Sequence, residues 1–262
     1  MKHNGLLNIP KSDPGLKILK IDPWLKPFAG DLDLRMNRYK EVRQALLGDS
    51  KNFRDFANGH YFFGFHQTEE GWYYREWAPA AEALHLIGDF NGWNRSSHPL
   101  TRKDGGVWEI FLPGRAALSH LSRVKVVVRH YGVERDRIPL YIHKLIQDRQ
   151  THDFSGQIWC PEEPFAWTDH DFTVPAGQAP LIYETHVGMA QEKEAISTYR
   201  EFADNILPRI KQLGYNTVQI MAIMEHPYYA SFGYHVSNYF AASSWFGTPD
   251  DLKYLVDRAH AL

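Results

Sequence analysis

The sequence predicts a multidomain chain: a short N-terminal helical segment, an all-β immunoglobulin-like sandwich, and a βαβα segment that opens an α/β barrel or a doubly wound sheet. Three observations carry this. Near the N-terminus apolar residues recur at helical spacing, at Leu32, Met36, Tyr39, Val42 and Leu46. Between residues 53 and 148, short aromatic and β-branched runs alternate with turn signals. After residue 180 the order becomes strand, helix, strand, helix.

Each element follows from its own residues. In the lead-in, residues 1–50, DPWLKP (22–27) reads as an extended, proline-punctuated approach to a helix over 31–47, which Gly48 stops. In the second stretch, residues 51–148, strands are predicted at 61–66, 71–77, 83–87, 107–112, 124–130 and 137–142, with turns at Asn58-Gly59, Asn91-Gly92 and Asp104-Gly105-Gly106. Residues 149–180 hold Pro161, Pro164, Pro175 and Pro180 among the aromatic residues Phe154, Trp159, Phe165, Trp167 and Phe172, the pattern of an irregular linker packed on a neighbour. In residues 181–262, LIYETH (181–186) is a strand. A helix over 198–213 ends at Gly214, and 217–224 is a nearly continuous apolar strand of the kind buried on both faces. Thr248-Pro249-Asp250-Asp251 then opens a second helix: Thr248 caps it, Pro249 fits its first turn, and the aspartates favour its positive end. The intervening stretch, 225–247, reads as a long loop at the C-terminal end of a parallel strand, where active sites are built.

Charge and cysteine usage narrow the function. Lys and Arg total 29 and Asp and Glu 31, for a net charge of −2, and no basic stripe marks a nucleic-acid surface. The cations of 123–137 are interrupted by Glu134 and Asp136 and read as a solvated strand face. The one cysteine, Cys160, excludes an internal disulfide, favours a reducing, cytoplasmic setting, and reads as a structural thiol. The N-terminal residues lack the apolar core of a secretion signal, and the longest apolar run, 218–224, is too short to span a membrane. Aromatic content is 14%, with 8 Trp, 14 Tyr and 15 Phe. Such rings fill cores, and they also stack on the flat faces of sugars.

Several motifs resemble one family. MAIMEHPYYASFGYHVSNYFAASSWFGTPDDLKYLVDRAHAL (221–262) is similar to the second strand, substrate loop and second helix of the glucan branching enzymes of glycoside hydrolase family 13. YETHVG (183–188) resembles the first barrel strand of that family, and LPRIKQLGYN (207–216) the helix and turn leading to strand two. REWAPAAEALHLIGDFNGWN (75–94) resembles the family 48 carbohydrate-binding module that precedes the barrel, and DPWLKPFA (22–29) the helical lead-in. The resemblance covers nearly the whole chain. It implies the first β/α units of an incomplete (β/α)8 TIM barrel, an α-1,4-glucan or glycogen substrate, transfer of cut α-1,4 segments to form α-1,6 branches, and no organic cofactor. It also implies that the nucleophile and acid/base carboxylates lie beyond Leu262, so these 262 residues are expected to be inactive by themselves.

The candidate site residues follow. Tyr234 matches the aromatic residue that the family stacks against the sugar at the cleavage subsite. His235 beside it is a substrate contact or a loop-packing residue. Trp93, displayed after the Asn91-Gly92 turn, and Trp77 are candidates for glucan stacking; the alternative for both, and the stronger reading for Trp77 at its strand spacing, is the sandwich core. Glu225-His226 stands where strand two ends, and Glu184 reads as a buried hydrogen-bonding partner. No catalytic pair emerges. His226 and His235 lack a third ligand at useful spacing, so no metal is expected. Two rival readings are a non-catalytic glycogen-binding protein using the sandwich alone and another family 13 enzyme such as a debranching hydrolase. The strand-loop-helix segment opposes the first, and AIMEHPYYASFGYH opposes the second.

Overall fold

The computed structural model describes residues 14–48 and 52–262; the start of the lead-in lies outside the described residues. The chain forms two compact units, Met1–Tyr61 and Phe62–Leu262.

The smaller unit is helical. Helix α1 is Pro14–Ile21, α2 is Ala29–Leu47 and α3 is Phe53–Phe56. Between α1 and α2, Pro23–Phe28 is a 3-10 helix rather than the predicted extended approach. The reason is local: an Asp22 carboxylate oxygen accepts the Trp24 N–H at 3.0 Å, and Pro23 already holds helical φ. Gly48 ends α2 with φ 51°. Tyr39, Val42 and Leu46 of the predicted stripe remain exposed, and Leu47 is the buried residue of α2.

In the larger unit, residues 64–157 form two antiparallel sheets. The strands are β1 Gly64–Gln67, β2 Gly71–Trp77, β3 Ala83–Gly88, β4 Thr101–Arg102, β5 Val107–Pro113, β6 Arg123–His130, β7 Val133–Arg137, β8 Lys144–Gln147 and β9 Phe154–Gln157. One sheet runs β1-β2-β5-β4; the other runs β3-β6-β9-β8, with β7 pairing the rest of β6 on the side that β9 occupies, opposite β3. Alternation places Trp72, Tyr74, Leu112, Leu84, Leu86, Val124 and Val126 in a common core. Four predicted strands lie where expected. The predicted strand at 61–66 begins only at Gly64, whose φ of +89° and contact with Tyr141 no larger residue would tolerate; an added Cβ would sit 2.9 Å from Tyr141. The predicted strand at 137–142 fails because Pro139 cannot donate to a ladder, and the pairing passes instead to β8 and β9. The solvated face assigned to 123–137 comprises all of β7 and the ends of β6, Arg123, Arg129 and His130, whereas Val124, Lys125, Val126 and Val127 of β6 are buried. The charged row on β7, bridged by Arg95 to Glu134 at 3.4 Å and Asp136 at 2.9 Å, shields a sheet edge from pairing.

Beyond the sandwich, β10 Ile182–His186 pairs in parallel with β11 Thr217–Met221. Between them lie α4 Tyr199–Glu201, a π-helical turn over Phe202–Ile206, and α5 Leu207–Gln212. The expected continuous helix is interrupted because Pro208 has no N–H to return to the Asp204 carbonyl. Gly214 closes it with φ +90°. Helix α6, Pro249–Ala261, is capped by Thr248, whose hydroxyl oxygen accepts the Asp251 N–H at 3.2 Å. Val187, Tyr199, Phe202, Leu207, Ile210, Phe246 and Leu255 form the core here. Strand 217–224 does not run through. It stops at Met221, because Ala222 takes φ 58°, and two short strands follow: β12 Met224–Glu225 and β13 Asn238–Ala242, which pair antiparallel. β10 and β11 are each exposed at alternate residues rather than buried on both faces, and Glu184 is exposed, accepting from Gln219 at 3.3 Å. The irregular stretch after β9 docks on α6: Thr168 donates through N–H and hydroxyl to Asp257 at 2.8 and 2.7 Å, and Phe172 stacks on His260 at 3.9 Å.

Sandwich and α/β segment meet at Asn238, which is 4% exposed. Its amide nitrogen donates to the Pro139 and Leu140 carbonyls at 3.2 and 3.1 Å. Its oxygen accepts the Phe240 and Ala241 N–H groups at 2.8 and 2.9 Å. Alongside, Ala242 N–H donates to the His143 carbonyl at 3.2 Å, and Tyr141 stacks between Phe63 and Phe240. Asn238→Ala removes four hydrogen bonds to backbone groups from a nearly fully buried position and is expected to lower unfolding stability by about 1–3 kcal/mol. Urea denaturation measures this; an unchanged midpoint would show that the joint is dispensable.

Candidate functional site

The loop between β12 and β13 presents rings to solvent while its ends are anchored by buried polar groups. Glu225, at the end of β12, is 1% exposed. Its carboxylate accepts from His226 N–H at 3.1 Å, Ser244 N–H at 2.9 Å and Ser244 Oγ at 3.2 Å. Its carbonyl accepts from Ser237 N–H at 2.8 Å and Ser237 Oγ at 3.1 Å. One residue thus ties both ends of the loop. Burial pushes the Glu225 carboxyl up to about 6, against the pull of these donors and of the Lys144 ammonium. Inside the loop, Gly233 lies against Ala222, where an added Cβ would sit 2.5 Å from the Ala222 Cβ, and its φ is +79°. Only glycine serves there.

The rings that result are Tyr228, Phe232 and Tyr234, with Tyr239 and Phe240 on β13. Tyr234 is 78% exposed; its backbone N–H donates to the Ser231 carbonyl at 3.0 Å. His235 is exposed beside it. Beneath the loop lies a different set. His226 is fully buried, with Nδ1 2.9 Å from the Met224 carbonyl oxygen. His186, at the end of β10, meets Tyr229, Phe232 and Phe246 edge to face, and burial and then the neighbouring His226 lower its pKa. It is a packing residue, kept neutral in an aromatic cage.

The two candidate tryptophans sit elsewhere, on opposite sheets of the sandwich. Trp77 ends β2 and is 58% exposed, which overturns its assignment to the core; its indole N–H donates to the Gly105 carbonyl at 3.0 Å, so the ring lies over the 104–106 turn. Trp93 is half-buried at φ 62°, after the β3 turn. Its N–H donates to Asp89 at 3.1 Å, and the Arg123 guanidinium lies 5.7 Å from its ring. The structure therefore brings Tyr234 and His235 together and leaves Trp77 and Trp93 apart from them.

The acidic groups near the loop are engaged structurally. Asp251 accepts from Thr248 N–H at 2.9 Å and Arg200 at 2.5 Å, and Asp250 pairs with Lys253 at 2.9 Å. Among the described residues no group of three His, Cys, Asp or Glu side chains could hold a metal ion, and no helix is long and apolar enough to cross a membrane. Sequence reasoning did not single out Asn238 or assign Glu225 its anchoring role. The one available signal was position, since both flank an aromatic-rich loop.

Comparison with known proteins bears on this arrangement. Residues 62–142 match the model of carbohydrate-binding module 48, the isoamylase N-terminal domain. The chain is 42% identical over 257 residues to a 1,4-alpha-glucan-branching enzyme of Dictyostelium discoideum, covering 96% of this chain and 38% of that protein. It is 45% identical over 261 residues to 1,4-alpha-glucan-branching enzyme 2-2, chloroplastic/amyloplastic, of Arabidopsis thaliana, covering 97% and 32%. The chain is thus related, over nearly all its length, to the N-terminal portion of these enzymes, and spans about a third of theirs. In fold it matches a putative alpha amylase from Salmonella typhimurium, with TM-score 0.61, 18% identity and 76% and 31% of the two chains covered. Pullulanase from Bacillus acidopullulyticus matches equally, with TM-score 0.61, 20% identity and 76% and 28% covered.

The Glu225 environment yields a pH prediction. A carboxyl raised from 4.5 to about 6 contributes stability below pH 4.5 that is lost as the pH rises through 6. Relative to Glu225→Gln, the wild-type chain should lose about 2 kcal/mol across that window. Denaturation series on both proteins at pH 4.5 and 7 check this, and parallel profiles would contradict it.

Proposed function

We propose that these 262 residues are the glucan-binding N-terminal portion of a 1,4-α-glucan-branching enzyme of glycoside hydrolase family 13. In this reading the chain comprises a lead-in (1–50), a carbohydrate-binding sandwich (51–148), a packed linker (149–180), and the opening β/α units of a (β/α)8 barrel (181–262). The parallel pair β10–β11 with α4, α5 and α6 supports the last assignment. The complete enzyme cuts an α-1,4 bond in glycogen or a related glucan and transfers the segment to a 6-hydroxyl in a cytoplasmic setting. No free carboxylate pair stands at this loop, so bond cleavage is assigned to residues outside 1–262.

The observation that carries this reading is Tyr234, 78% exposed on a loop whose ends Glu225 holds and whose interior Gly233 seats. An aromatic ring fixed in that way presents a flat apolar face at the C-terminal end of parallel strands, where it can stack on a glucosyl ring and orient it. His235 is a further contact from the same turn. Trp77 and Trp93 supply independent stacking surfaces on the sandwich, which is why they need not adjoin Tyr234.

Native electrophoresis in gels containing glycogen tests the proposal. The chain should be retarded, Trp93→Ala and Trp77→Ala should each lessen the retardation, and unretarded migration of the wild type would sink the reading. Tyr234→Ala should weaken maltoheptaose binding about three- to tenfold while Tyr234→Phe, which keeps the ring, binds normally.

A further inference from the structure

Glu225 ties the ends of the aromatic loop together, but β13, the strand on which the loop returns, pairs with β12 at only two positions, Met224 with Ala242 and Glu225 with Asn238. A two-stranded ribbon that short is marginal by itself. The packing of β13 lies on the sandwich side. Ala241, 3% exposed, belongs to the core of the sandwich with Trp72, Tyr74 and Leu86 rather than to the core around Phe202 and Phe246. The Ala242 N–H donates to the His143 carbonyl at 3.2 Å. The Phe240 ring, itself partly open to solvent, stacks on Tyr141 with centroids 4.1 Å apart and planes inclined by 26°.

Tyr141 is in turn locked into the sandwich. Its other face stacks on Phe63 at 5.5 Å and 21°. Gly64 lies against its Cβ and its carbonyl oxygen, where an added Cβ would come within 2.9 Å of both. On its N-terminal side the backbone is pinned by Glu76 of β2, whose carboxylate accepts the Leu140 N–H at 3.0 Å together with the Tyr74 hydroxyl at 2.9 Å and the Trp77 N–H at 3.2 Å. On its C-terminal side Ile142 is buried in the core. Aromatic pairs of this kind contribute beyond the area they bury. A strand that leans on a ring held in this way takes its position from the sandwich.

We infer that Tyr141 is a positioning residue for the Tyr234 loop: a side chain of the sandwich that sets where β13 lies, and through β13 the presentation of the exposed rings, without itself touching substrate. The inference rests on the glucan reading above. It makes the sandwich a structural part of the loop's site, apart from any ligand the sandwich holds on its own surface. The path is short. Tyr234 precedes Asn238 by four residues, the Ser237 N–H between them donates to the Glu225 carbonyl at 2.8 Å, and Gly233 is seated against Ala222. Glu225 thus fixes how close the two ends of the loop stand, and Tyr141 fixes where the returning strand lies. A ring oriented from two sides has less freedom to lose on binding, and a small displacement of it costs alignment with the ligand.

Amide hydrogen exchange of the 262-residue chain, followed by NMR, reads the loop directly. Maltoheptaose titration of the same chain carrying Trp77→Ala and Trp93→Ala reads its ligand contact. Tyr141→Ala should speed exchange over residues 234–241 about three- to tenfold, leave the β2 and β5 amides protected, and weaken maltoheptaose binding about three- to tenfold. Tyr141→Phe, which keeps the ring, should restore both. Phe240→Ala removes the stack from its partly exposed side and should give the same two changes; it carries the test if Tyr141→Ala unfolds the sandwich. With Tyr234→Ala already present, neither alanine variant should weaken binding further, because a positioning role acts through that ring, whereas a general loosening of the fold does not. If exchange or affinity stays unchanged, or the loss of affinity persists without the Tyr234 ring, the positioning role falls and the glucan reading stands. If glycogen retards the wild type but the chain lacking both tryptophans does not bind maltoheptaose, the loop holds no ligand and the inference falls alone. If the wild type binds neither glycogen nor maltoheptaose, the glucan reading falls, and the inference with it.

Discussion

Asn238 sits at 4% exposure with all four of its amide bonding positions engaged, two facing the sandwich and two facing its own strand. A primary amide suits this place because it donates and accepts in one plane. The Pro139 and Leu140 carbonyls it bonds lie in a segment that proline has removed from the β-ladder, where Pro139 otherwise accepts only the local Ile142 N–H at 3.3 Å. The donor comes from β13, and β13 is the far anchor of the aromatic loop. The bond that completes the sandwich is therefore also the bond that sets where the loop begins to return.

From that joint the order passes inward through Glu225. Its side chain and backbone collect donors from Ser237, Ser244 and His226, on both sides of the loop. Burying a carboxyl for this purpose works against ionisation, and the raised pKa records the conflict. Tyr199 shows the same environment: burial, chiefly, raises its phenol, whose hydroxyl donates to the Ser243 carbonyl at 3.3 Å. The outcome is a loop whose backbone is fixed from below while Tyr228, Phe232 and Tyr234 face water. Rings held in this way lose little freedom on meeting a flat ligand, which favours binding without a conformational search.

The sandwich surface works differently. Trp77 and Trp93 are each tethered by their own indole N–H, to Gly105 and Asp89. Each ring is oriented by its nearest turn rather than by a distant anchor. The Asp89 carboxylate also holds Arg123 on the adjacent strand, at 2.8 Å through the backbone N–H and 3.0 Å through the guanidinium, and these bonds hold its pKa down despite partial burial. These two indoles are thus placed by local contacts, whereas the Tyr234 loop is anchored by residues distant in sequence.

Much of this was legible in local pattern. Thr248-Pro249-Asp250-Asp251 specifies a helix start through capping geometry alone, and Gly214 a helix end through its permitted φ, so both appear where the residues place them. Alternation in 71–77 and 107–112 likewise sufficed for β2 and β5, and the motif around Tyr234 located an exposed ring. Pairing and burial were not legible in this way. Nothing in PLYIHKLI (139–146) or SNYFAA (237–242) states that one will satisfy the other, because the partners are about a hundred residues apart in sequence and meet only in the tertiary structure. The exposure of Trp77 and Glu184, the π-helical turn before Pro208 and the bend at Ala222 belong with them. Local propensity follows from a residue and its few neighbours; exposure and strand partnership follow from which surfaces compete for the same space, and that competition is resolved in three dimensions.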